Sequence, residues 1–222
     1  MRVATISPLR QILRCRRALA HAALVLVVAA AAMGHGNAQQ LAGAPLIAAL
    51  HGGGYVLLMR HASSPAMPPD KASADRENTA LERQLDENGR NTARAMGKAL
   101  RALRIPVREV LSSSTYRALQ TVHLARLPEP RTVAELGDGG QSMQPLQASP
   151  AAWLRNIVSQ PPAAGTDRLI VTHAPNITAA FAATVADVAD GETLVFRPTG
   201  NGEAVLAGRI KIQDWPVLAT RK

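Results

Sequence analysis

Residues 55–61 read Tyr55-Val56-Leu57-Leu58-Met59-Arg60-His61. An unbroken apolar run of this length offers no polar face to water. It therefore reads as a strand buried on both sides, the pattern of a parallel sheet covered by helices. Gly53-Gly54 precedes it, and it stops abruptly at Arg60-His61. Two later segments repeat the design. Val110-Leu111 gives way to Ser112-Ser113-Ser114, with Arg117 in the first turn of a helix beginning near Tyr116. Leu169-Ile170-Val171 gives way to Thr172-His173, with a helix over 176–183.

Between these runs the period changes to that of helices. Asp86 can cap a helix from about Glu87 to Arg104, closed by Pro106. Its apolar stripe is Ala93, Met96, Leu100 and Leu103, and a second stripe carries Arg90, Arg94, Lys98 and Arg101. That basic stripe reads as a solvated face. Further helices are expected over 39–52 and 150–159. Arg131 to Glu135 reads as a third strand. Thr193–Phe196 and Ala204–Ile212, joined by Thr199-Gly200-Asn201-Gly202, read as a hairpin. Strands alternating with helices give an α/β fold, a three-layer sandwich with a mostly parallel central sheet and flanking helices.

The first 38 residues read as a secretory signal peptide. They hold five arginines and no acid, an apolar run of 12 from Ala22 to Met33, and small residues at Gly36 and Ala38. Cleavage is expected after Ala38, leaving one domain over 39–222 in the periplasm or outside the cell. The rival reading is an uncleaved membrane anchor, but the apolar run is shorter than the roughly 20 residues a bilayer core demands, and after cleavage no stable membrane insertion is expected. The only cysteine, Cys15, lies inside this leader, which leaves the domain with no disulfide, thiolate metal site or cysteine nucleophile. Without the leader's five arginines the formal charge drops from +9 to +4, and the few aromatics are scattered. Neither feature suits a nucleic-acid binder. Oligomeric state is not legible.

In an open α/β sheet, ligands bind beyond the carboxyl ends of the strands. His61 and His173, 112 residues apart, can therefore share one pocket with Arg60 and Arg117. Guanidinium forks match phosphoryl oxygens bidentately, and a neutral imidazole is a nucleophile near neutral pH without further activation. Nothing in the spacing of His51, His61, His173 and Glu135 matches a metal motif, so no metal and no cofactor are expected. His51 and His123 read as structural.

The blocks Leu58-Met59-Arg60-His61-Ala62, Val110 to Thr121 and Val171-Thr172-His173-Ala174 resemble, in order and spacing, those of the histidine phosphatase superfamily, the phosphoglycerate-mutase-like fold. The resemblance runs from about Tyr55 to Trp215. It implies a metal-independent phosphomonoesterase, with His61 becoming a phosphohistidine and Arg60, Arg117 and His173 binding the phosphoryl oxygens. It further implies substrate contacts from Ser64 and Asn176. A finer resemblance to a secreted or envelope-associated branch rests on Asn78, Glu82-Arg83-Gln84-Leu85, Thr172 to Thr178 and Gly191-Glu192. The implied partner is a small phosphate ester, possibly a phosphosugar of the envelope.

Ala62 replaces the family's usual glycine, and Thr115 stands where many relatives carry proline. The acid that would protonate the leaving alcohol is less plain. The position after the second histidine is Ala174, so the candidates are Glu135 and then Asp138, on the loop after the second block. An alternative reading keeps the fold as a catalytically silent phosphate-binding or interaction module.

Overall fold

The computed structural model describes residues 40–65, 83–138 and 149–220. The expected leader, Asn78 and Glu82 lie outside these residues.

The quoted apolar run forms β1, Val56–Arg60. With β2 (Val107–Ser112), β3 (Arg131–Thr132), β4 (Asp167–Thr172), β5 (Thr193–Pro198) and β6 (Ala204–Ile210) it builds a sheet of order β3-β2-β4-β1-β5-β6. The pairs β1–β4, β4–β2 and β2–β3 are parallel; β1–β5 and β5–β6 are antiparallel. The expected α/β sandwich is thus the observed one, with the predicted hairpin as its antiparallel edge.

The apolar runs of the central strands are explained by two cores. Leu57 and Met59 face a core with Met96, Leu100, Val122 and Trp215, while Val56 and Leu58 face one with Leu154, Val158, Ile177 and Phe196. Successive strand residues point to opposite faces, so a strand covered on both faces needs apolar side chains at every position. The first core is closed by α1 (Gly43–His51), α2 (Glu87–Ala102), α3 (Tyr116–Leu124) and α6 (Asp214–Thr220). The second is closed by α4 (Pro150–Ser159) and α5 (Ala174–Phe181). Gly97 lets α2 lie against the end of α3: a Cβ there would stand 1.9 Å from the Ala125 carbonyl oxygen.

Two local expectations need correction. The strand expected over Arg131–Glu135 ends at Thr132, and Ala134–Leu136 turns as a 3-10 helix. β2 offers only Leu111 and Ser112 as partners, and Val133 N–H makes the last bond, to the Ser112 carbonyl. Beyond that point no ladder remains to hold an extended chain. Helix α6 was not foreseen; it is one short turn pair whose anchor, Trp215, is its only buried residue, too little for a periodicity.

Strand register levels the carboxyl ends. Arg60 pairs with Thr172 and Ser112 with Val171. His61 N–H donates to the Thr172 carbonyl (3.0 Å) and Ser113 N–H to that of Val171 (2.9 Å). The residues that follow all three strands emerge at one height.

At the opposite end of the sheet Asp167 is 0% exposed. It accepts the Tyr55 N–H (2.9 Å) through Oδ1, while Oδ2 is without a partner among the described residues. Burial pushes its carboxyl up to about 6, against the lowering effect of that hydrogen bond. A folded-state value above the unfolded one means the stabilisation is complete below pH ~4 and is lost as pH rises through about 6. Asp167→Asn, neutral throughout, is expected to gain roughly 1–3 kcal/mol over the wild type at pH 8 and to match it within about 1 kcal/mol at pH 4.5. Urea unfolding at the two pH values measures this.

Candidate active site

His61 leaves β1 with its backbone clamped from two sides. Its N–H is held by Thr172, and its carbonyl accepts the Gly191 N–H (2.9 Å). The next residue is pinned to α3, since Ala62 N–H donates to Thr121 Oγ1 (3.1 Å), which itself donates to the Arg117 carbonyl (2.8 Å). Asp86 secures the turn beyond. Its carboxylate caps α2 through Gly89 N–H (2.6 Å) and accepts from Ser63 Oγ (2.6 Å). Partial burial would raise that carboxyl, but the two hydrogen bonds outweigh it and hold it below its ordinary value.

The imidazole of His61 is 3% exposed. Nδ1 lies 2.8 Å from the Ala62 carbonyl, which can only accept, so Nδ1 carries the proton. Nε2 is left with its lone pair, which accepts from Arg117 Nε (3.2 Å). Burial chiefly lowers this histidine to about 3; the Ala62 hydrogen bond opposes that, and Arg117, Arg60 and Arg83 add to it.

His173 sits at the N-cap of α5 and is 2% exposed. Its Nδ1 accepts from Arg117 Nη2 (3.1 Å), which places the proton on Nε2, 2.9 Å from Ser113 Oγ. Thr115 Oγ1 lies 3.4 Å from the same nitrogen. Burial, then the charge of Arg117 and the neighbouring His61, depress it well below its ordinary value. The two rings stand edge to face with centroids 5.2 Å apart.

Arg117, buried in the first turn of α3, donates to both imidazoles and to Asp138 Oδ2 (2.5 Å). Arg60 donates to the Val188 carbonyl (2.8 Å) and pairs with Asp190 Oδ1 (2.6 Å). A cleft of about 150 Å³ is lined by Arg60, His61, Arg83, Arg117, Asp138, His173, Ala174 and Pro175.

The fold therefore gathers Arg60, His61, Arg117 and His173, the four residues expected to meet. It does not bring the other three to the cleft. Glu135 lies on the 3-10 turn, and Asp138, three residues on, is the carboxylate that lines it. Asn176 spends its amide bracing the same turn, donating to the Gly137 carbonyl (2.6 Å) and to Thr172 Oγ1 (3.0 Å). Ser64 is buried beside the cleft, and its carbonyl accepts from Arg83 Nη2 (3.4 Å). Arg83 was not foreseen as a site residue. It precedes the α2 cap by three residues, and only the fold of that segment over His61 reveals it; burial, then Arg117, pull its guanidinium below the ordinary value. Among the described residues no group of three or more histidine, cysteine or acidic side chains could hold a metal ion.

Residues 56–138 match the model of the histidine phosphatase superfamily (branch 1). The match covers under half of the chain and shows the resemblance of this segment to that family. The match carries Arg60, His61 and Arg117 and ends at Asp138; His173 lies beyond it and is brought in by β4. No curated protein sequence matches the chain. Among solved structures, the protein histidine phosphatase SixA complexed with tungstate is similar at 18% identity and TM-score 0.52, over 72% of this chain and 98% of that one. SixA of Agrobacterium tumefaciens follows at 17% identity and TM-score 0.48, over 66% and 92%. A phosphoserine phosphatase of Entamoeba histolytica shows 14% identity and TM-score 0.47, over 72% and 98%. At these identities the first likeness speaks for the phosphatase-superfamily fold.

The neutral imidazoles give a direct test. Both histidines stay uncharged through the pH range in which free imidazole titrates. The imidazole nitrogen shifts of His61 and His173 in labelled protein are expected to hold their neutral values from pH 8 down to 5, across the range in which a free imidazole titrates. An inflection near 6.5 for His61 would contradict the desolvated, arginine-flanked site.

Proposed function

We propose that the protein is a phosphomonoesterase that works through a phosphohistidine on His61. The observation that carries this is the His61 Nε2 lone pair, fixed by the Nδ1 bond to Ala62, beside Arg117 and His173 at the rim of a cleft with two further guanidiniums. The family match supports the same chemistry.

A phosphoryl group entering the cleft offers oxygens to the N–H groups that Arg117 now gives to the imidazoles. Once these are taken up, His61 Nε2 is free to attack phosphorus. The P–N bond forms, the ester P–O bond breaks, and the leaving oxygen takes a proton. Asp138, on the cleft wall, is placed to supply it once its carboxyl has taken up a proton on substrate binding. Arg60, Arg83 and Arg117 stabilise the charge on the equatorial oxygens, the electrostatic contribution that usually dominates. Water then attacks phosphorus and gives a proton to the Asp138 carboxylate, the P–N bond breaks with its electron pair returning to Nε2, and phosphate leaves with His61 neutral again.

We further propose that the protein is exported, with residues 1–38 as its signal. Its substrate would then be a small or envelope-associated ester, such as a phosphosugar. The leader's layout supports this, together with a cleft of about 150 Å³ lined by three arginines.

A phosphate-release screen over aryl and alkyl monoesters tests the activity. Turnover is expected, insensitive to chelators, with His61→Ala and Arg117→Ala each lowering kcat/KM at least about 1000-fold. Absence of turnover on every ester, with phosphate still bound, would instead establish a silent binding module. The acid is tested separately. Asp138→Asn is expected to slow esters of aliphatic alcohols at least about 10-fold more than aryl phosphates, whose leaving groups need no proton, and Glu135→Gln to leave both unchanged.

A further inference from the structure

The Arg60 guanidinium of the cleft is held by Val188 and Asp190, on the connection that leads into Gly191-Glu192. The connection from α5 to β5 folds back over the end of β1. Gly191 N–H donates to the His61 carbonyl (2.9 Å), and Arg60 N–H donates to the Glu192 carbonyl (3.2 Å). The same connection holds the guanidinium: Val188 through its carbonyl (2.8 Å) and Asp190 through its carboxylate (2.6 Å).

What fixes the connection is Glu192, 5% exposed. Its carboxylate accepts Ala189 N–H (2.9 Å), closing the turn that presents Asp190. It also receives Arg209 of β6 through Nε (2.8 Å) and Nη2 (3.0 Å). Arg209 in turn donates to the Asp187 carbonyl (2.5 Å). A buried carboxylate with a forked arginine and a backbone N–H is well satisfied, and such pairs resist rotation. The chain of contacts runs from Arg209 through Glu192 and the 187–192 turn to Asp190, and ends on Arg60.

We propose that Asp190 is a positioning residue for Arg60, aiming its guanidinium into the phosphoryl cleft, and that the buried Glu192–Arg209 pair holds the turn on which Asp190 sits. Asp190 is not a lining residue of the cleft and acts through Arg60. The inference rests on the phosphatase reading only for its kinetic measurement. It rests on the geometry alone for anion binding.

A double-mutant cycle tests it, since a residue that acts through a partner has nothing to act on once the partner is gone. In the full chain, Asp190→Ala is expected to raise KM for an aryl phosphate and the dissociation constant for tungstate about 10-fold each, with kcat changed less than about 3-fold. Asp190→Asn, which keeps an acceptor oxygen, should recover part of this loss. In an Arg60→Ala background, Asp190→Ala should change either quantity less than about 2-fold. Glu192→Gln should weaken tungstate binding in the same Arg60-dependent way, with melting curves confirming that the fold persists.

Equal losses in both backgrounds, or no loss in the first, would overturn the proposal. If the wild type turns over no ester, the phosphatase reading fails, and calorimetric titration with tungstate still decides the placement of Arg60. A wild type that binds no tungstate overturns it as well.

Discussion

One buried cation organises the site. Arg117 is 6% exposed, and a guanidinium there must be satisfied in full or the fold pays heavily for burying it. Its Nε and Nη2 donate to two imidazole lone pairs and one carboxylate. That arrangement dictates the protonation of its neighbours. An imidazole accepting from a buried guanidinium cannot also be cationic, so both histidines are held neutral, and each ring's proton is assigned by a fixed acceptor on its far side, Ala62 for one and Ser113 for the other. A nucleophilic nitrogen at the edge of a cationic cleft is a consequence of where the arginine is buried.

The placement of Arg117 is itself a product of the sheet. The level register of β1, β4 and β2 delivers His61, His173 and Ser113 to one plane, and the sharp turn after β2 starts α3 directly above it. Thr121, one turn along α3, ties the helix back to the chain after His61 through Ala62. The histidine and the arginine it faces are therefore braced to each other through backbone as well as side chains. That double bracing keeps a 3.2 Å contact between residues 56 apart in sequence from depending on either rotamer alone.

The central strands and the four clustered residues were legible because each apolar run breaks at its carboxyl end into polar side chains, and a parallel sheet brings such ends together. The acid was harder. Sequence ranks Glu135 ahead of Asp138, and what reverses the order is that β3 runs out of partner after Thr132, so that the chain curls into a 3-10 turn and carries Asp138, not Glu135, to Arg117. Asn176 and Ser64 are substrate contacts only as the family resemblance implies them. The structure instead shows an amide used to hold the Gly137 turn and a hydroxyl at the buried edge. Arg83 left no trace in periodicity, because its role is set by how the segment before α2 crosses the first strand end.

Formal charge gives the last step. Among the described residues near the cleft, Arg60, Arg83 and Arg117 face Asp138 and Asp190, and both histidines are neutral. With both carboxylates ionised the fixed balance is one positive charge. A monoanionic phosphoryl group would bring it to neutrality, and a dianion would leave an excess negative charge in a poorly solvated cleft, where Coulomb interactions are weakly screened. Proton uptake on one of the imidazoles or on Asp138 would then accompany binding of the dianion. The same proton is the one the leaving alcohol needs. On the proposed phosphatase reading, the two carboxylates would therefore do more than orient their arginines: by cancelling two of the three positive charges they would lead the site to take up, on binding, a proton that ester cleavage consumes.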